Sequence, residues 1–137
     1  MSNFKLEEDF LNKLAEAYTT FSISPIQDLI TDDFSYSSLW VWGELKSRES
    51  YLDYLKRKLE SMKKANVNNR FLMMYCNRSG VPVLLLSQKT EAGDRGVFVV
   101  TKTENGKIKE LNLTSSEFYS LKPKNEKEYN EFMKKYN

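Results

Sequence analysis

A chain of 137 residues, 40% apolar and 29% charged, suits one globular domain large enough to bury roughly two-thirds of its unfolded surface. A net charge of +2 gives no electrostatic case for a nucleic-acid partner. The absence of histidine excludes Ser/His/Asp and Cys/His catalysis and histidine-ligated metals, and a lone cysteine, Cys76, excludes an internal disulfide.

In chain order, Phe10, Leu14, Ala17, Tyr18 and Phe21 form one apolar stripe, which predicts a helix over about 6–21. Ser24-Pro25 reads as an N-cap with proline at the first helical position, so a short helix is expected to Ile30. Thr31-Asp32-Asp33 reads as a turn. Phe34, Tyr36, Ser38, Trp40 and Trp42 alternate, as one face of a single strand would. Ser47 is placed to cap a helix carrying Tyr51, Leu52, Leu55, Leu59 and Met62, ending near Ala65. The basic run Lys56 to Lys64 on that helix reads as a solvated face.

Four strands then follow, near 70–77, 81–90, 95–103 and 107–113. Asn105-Gly106 marks a two-residue hairpin, because both residues tolerate positive φ. Thr114-Ser115-Ser116-Glu117 fits a capping box for a short turn that Pro123 stops. Asn125 is placed to cap a last helix bearing Tyr129, Phe132, Met133 and Tyr136. This order predicts an α+β fold, one domain over 1–137 with a helical extension at about 115–137, and an antiparallel sheet with helices on one face.

That element order, with Leu29-Ile30-Thr31-Asp32-Asp33-Phe34 closing the second helix, resembles the nuclear transport factor 2-like superfamily over about residues 6–113. The resemblance implies a cystatin-like α+β roll. A curved antiparallel sheet wraps the long N-terminal helix as a cone, with a pocket at the wide end and no parallel strand pair. The superfamily holds enzymes and binders alike, so the fold alone names no function. The isomerase branch uses an aspartate base, a tyrosine and a protonated aspartate. The matching positions here are Ser38, Leu14 and Phe98, which supply none of that chemistry.

The resemblance therefore implies a pocket lined by Tyr18, Tyr36, Trp40, Trp42 and Phe98. For Tyr18, Trp40 and Trp42 the competing reading is plain core packing. Asp32-Asp33 is read as hydrogen-bonding to backbone rather than as a catalytic pair. Phe71 to Tyr75 and Val83 to Leu86 are apolar on both strand faces, so something must cover the second face. Leu72, Met74, Leu84 or Leu86 could line an outer surface, through which a homodimer is expected.

The leading expectation is a homodimeric binder of a small apolar or aromatic ligand. The alternatives are a dehydratase, cyclase or isomerase using Tyr18, Tyr36 or a pocket-facing acid, and a protein-interaction domain. No cofactor, metal, nucleic-acid or membrane partner is expected. Met1 to Glu8 lacks an apolar signal core and no stretch approaches ~18 apolar residues, which reads as a cytoplasmic, bacterial protein.

Overall fold

A computed structural model describes residues 4–38, 41–90, 93–114, 121–123 and 125–136. The elements are α1 (Lys5–Thr20), β1 (Ile30–Ser38), β2 (Val41–Leu45), α2 (Arg48–Lys64), β3 (Asn68–Cys76), β4 (Pro82–Thr90), β5 (Gly93–Glu104), β6 (Lys107–Thr114), β7 (Leu121–Pro123) and α3 (Glu126–Tyr136). Local chemistry sets several boundaries. The Ser50 amide donates to Ser47 Oγ at 3.0 Å, capping α2. Phe21 takes a left-handed conformation, φ 55°, that closes α1. Asn105 and Gly106, φ 51° and 79°, turn β5 into β6. Asn125 Oδ1 accepts from the Lys127 amide at 2.8 Å and opens α3.

One seven-stranded sheet runs in the order β2-β1-β6-β5-β4-β3-β7. It is curved and unclosed, and α1 packs on it against β3 to β6. α2 lies on the same concave side, over β1. Leu11, Leu14, Phe34, Leu55, Leu86 and Val99 fill the space between helices and sheet, each at most 1% exposed. Burial there removes apolar surface at about 25 cal/mol per Å².

Four local expectations are corrected. The sheet is mixed, because β1 runs parallel to β6, with Tyr36 beside Leu111 and Ser38 beside Leu113. A parallel neighbour needs a long crossover, and the whole stretch from α2 through β5 supplies it. The expected 34–42 strand is two strands. Antiparallel pairing of Tyr36 with Leu45 and Ser38 with Val41 folds β2 back on β1. Residues 23–29 form tight turns rather than a helix, with the Ile26 amide donating to the Ile23 carbonyl at 3.1 Å. Thr31 to Asp33 lie within β1, where the register to β6 is interrupted between Ile30 and Ser35.

The convex face divides in two. Along β3 to β5, Leu72 and Met74 form a small apolar cluster with Leu85 and Phe98, covered by Phe132 and Tyr129 of α3. The Arg70 guanidinium lies 4.7 Å from the Phe132 ring centroid. Leu84 and Leu86 point instead into the concave core. Along β5, β6 and β1 the convex side is largely polar, Val100 apart, with Ser37 Oγ donating to Asn112 Oδ1 at 3.0 Å. The C-terminal extension is therefore a short strand plus a helix. The expected capping box at 114–117 lies largely outside the described residues.

Candidate functional site

Helical and strand periodicity bring four tyrosines together under α2. Tyr36 comes from β1, and Tyr51 and Tyr54 come from successive positions on one face of α2. Ring centroids are 4.8 Å apart for Phe34–Tyr51, 4.9 Å for Tyr36–Tyr51 and 5.5 Å for Tyr36–Tyr54, all tilted. Such offset geometry adds to the area term. Tyr18, from α1, packs 6.2 Å from the Phe71 ring.

Lys58 sits one turn beyond Tyr54 and carries the chemistry of the cluster. Its Nζ lies 5.8 Å from the Tyr18 ring centroid and 5.9 Å from that of Tyr54. Both distances fall within cation–π reach. Withdrawal from water pushes its amine down from 10.5 to about 8. The solvated-face reading of the 56–64 run is therefore corrected at this residue, while Lys56, Arg57, Lys63 and Lys64 are exposed. The spacing Tyr51, Tyr54, Leu55, Lys58, Met62 held the signal, since it puts Lys58 on the edge of the apolar stripe.

The hydroxyls of Tyr36 and Tyr51 are buried and make no hydrogen bond among the described residues. Ser38 and Tyr54 are near enough to influence Tyr36 without meeting hydrogen-bond geometry. Burial, then neighbouring phenols, raises Tyr18, Tyr36 and Tyr51 well above the usual tyrosine range. All of them are neutral donors at neutral pH. Deeper along the concave face, Asn69 Nδ2 donates to the Tyr18 carbonyl at 3.4 Å, and its Oδ1 is buried with no hydrogen-bond partner among the described residues.

The cluster meets solvent in a groove of about 640 Å³ beside α2, where Leu45 and Tyr54 face Ser50, Asp53, Arg57 and Lys58. Tyr18 borders a separate depression of about 400 Å³ with Phe21, Lys63 and Val67. The structure thus brings Tyr18 and Tyr36 into one neighbourhood. Trp40 lies outside the described residues. Trp42 belongs to β2, a separate strand from the β1 that carries Tyr36. Phe98 faces α3 across the sheet from the tyrosines, and the inward residues of β5 at that level are Val97 and Val99. Phe98 therefore does not face the tyrosines, and neither inward neighbour is an acid. Leu14 is packed in the core and Ser38 ends β1. Among the described residues, no group of three or more His, Cys, Asp or Glu is arranged to hold a metal.

A curved α+β sheet holding its first helix in the concavity defines a cystatin-like cone. More narrowly, the chain has the nuclear transport factor 2-like fold. No family profile and no curated protein matches the sequence. Solved structures do match in fold. A nuclear transport factor 2-like protein of unknown function from Cytophaga hutchinsonii is 13% identical, with TM-score 0.55, over 82% of this chain and 90% of that one. An uncharacterized cystatin-fold protein from Novosphingobium aromaticivorans is 10% identical, with TM-score 0.57, over 82% and 98%. An LEH-like epoxide hydrolase from M. tuberculosis is 16% identical, with TM-score 0.56, over 81% and 80%.

Proposed function

We propose that this protein binds a small apolar or aromatic compound in the groove beside α2. The observation that carries the reading is the groove itself. Its volume lies within the ~300–1,000 Å³ range of small-molecule sites, and its wall is the Tyr54 ring backed by Tyr36. Leu45 extends the apolar surface, while Ser50, Asp53, Arg57 and Lys58 supply a few polar groups to orient a ligand. The described isomerase positions, Leu14 and Ser38, offer no general base, which favours binding over isomerase-type turnover.

The homodimer expected through the outer face loses its main motive. Leu72 and Met74 called for a cover, and α3 of the same chain provides one. Among the described residues no helix is long and apolar enough to cross a membrane.

Amide chemical-shift mapping with benzyl alcohol tests the binding site. Shifts should concentrate at residues 45, 50–61 and 36. Shifts confined to the α3 side, or none at millimolar probe, would remove the groove as the site.

A further inference from the structure

We propose that Lys58 is a carbonyl-capture residue, whose amine forms an imine with an aldehyde carried by an aromatic or apolar compound seated in the α2 groove. The inference rests on the groove reading and assigns the ligand a reactive group.

Geometry carries it. Lys58 lines the groove and is held between the faces of Tyr18, from α1, and Tyr54, from its own helix, at 5.8 and 5.9 Å. A lysine on a free helix face is surrounded by water, whereas this one is half-buried, with its nitrogen near two aromatic rings at the edge of the groove. An aromatic aldehyde lying on Tyr54 and Leu45 would present its carbonyl carbon to that nitrogen. Proximity of this kind turns a bimolecular addition into a step within one complex.

Electrostatics supply the reactive form. Among the described residues, the charged groups lining the same groove are Arg57 and Asp53, with the neutral phenols of Tyr51 and Tyr36 behind. Burial shifts the amine to about 8, so about one molecule in ten carries a neutral Nζ at pH 7. For a lysine at its ordinary value the share is about one in three thousand.

The step balances without a further reagent. The Nζ lone pair forms the C–N bond as the carbonyl π pair moves to oxygen. The oxygen takes up two protons, matching the two that nitrogen gives up, and leaves as water, and a C=N bond remains.

The test uses the intact protein with benzaldehyde and sodium cyanoborohydride, which reduces any imine to a stable secondary amine, followed by peptide mapping. Lys58 should be modified more than about ten-fold above Lys56, Lys63 or Lys64. Its labelling should rise with pH to a midpoint near 8, and excess benzyl alcohol should protect it. K58R should lose the adduct while K56R keeps it, although the wild-type map decides the matter even if K58R fails to fold. Label spread evenly over the exposed lysines would overturn the proposal. If benzyl alcohol shifts the groove amides yet no Lys58 adduct forms, capture is wrong and the groove reading survives. If neither probe acts there, both are wrong.

Discussion

The two faces of the sheet solve the same problem with different means. On the concave side, α1 and α2 bury Leu11, Phe34, Tyr51, Leu55 and Leu86 almost completely, and polar atoms are buried among them. On the convex side, one short helix lays Phe132 over Leu72 and Met74, and the rest of that face toward β6 and β1 is largely polar. The concave face thus combines the packing energy with the unpartnered hydroxyls. The convex face is a local patch closed by the chain's own tail. Apolar residues on both faces of a strand therefore need not signal a second subunit.

Core truncation should separate the faces most strongly. Leu86→Ala removes a concave side chain with 0% exposure and should cost about 3–5 kcal/mol. Phe132→Ala on the convex patch should cost roughly 2 kcal/mol, because its cover is thinner and the site can relax into solvent. Urea unfolding of both variants measures the gap. Equal losses would break the comparison.

The next effect follows pH. Lys58 has a folded-state value below its unfolded one, so the unfolded chain binds more protons between about 8 and 10.5. Stability should rise across that window by something on the order of 2–3 kcal/mol. The buried tyrosines act oppositely. Their folded-state values are raised, so the stability they contribute is present below 10 and is lost as pH climbs above it. Denaturation midpoints should therefore peak near pH 10, and Lys58→Met should flatten the rise while leaving the fall.

The smallest effect tests single hydroxyls. Tyr51→Phe deletes a buried, unpartnered group and should raise stability by up to about 1 kcal/mol. Tyr75→Phe deletes a donor bonded to Glu8 Oε1 at 2.9 Å and should lower it by about 1 kcal/mol. Opposite signs in thermal unfolding would confirm that the concave phenols are placed at an energetic cost. A loss for Tyr51→Phe would show that its hydroxyl has a partner.

Much of this was legible in the residues wherever a local rule acted alone. Ser47, Asn105-Gly106 and Asn125 each have one good conformation, and each adopts it. The alternation from Phe34 to Trp42 was misleading. It carries no glycine or proline to mark the reversal, so two strands read as one. Parity of β3 and β4 was not legible, since Leu72 and Phe71 are equally apolar and only the placement of α1 and α3 decides which faces the core. Lys58 was hidden by its charged neighbours, although its spacing from Tyr54 placed it with the rings. The parallel β1–β6 pair is long-range, and no local pattern encodes it.

That same pair bears on the order in which the chain acquires its structure. Strands β3 to β6 join through successive short reversals, so their hairpins close cheaply and early. Ser37 and Asn112 meet across 75 positions, and the loop between them must lose its freedom before any contact returns energy. β1 should therefore dock late, onto a β6 edge already formed. Substitutions in the β4–β5 hairpin should then slow refolding, whereas Ile30→Val or Asn112→Ala should chiefly quicken unfolding, as stopped-flow chevrons would show. Until β1 arrives, β6 is a bare strand edge, and newly made or heated protein should be most prone to aggregate during that interval.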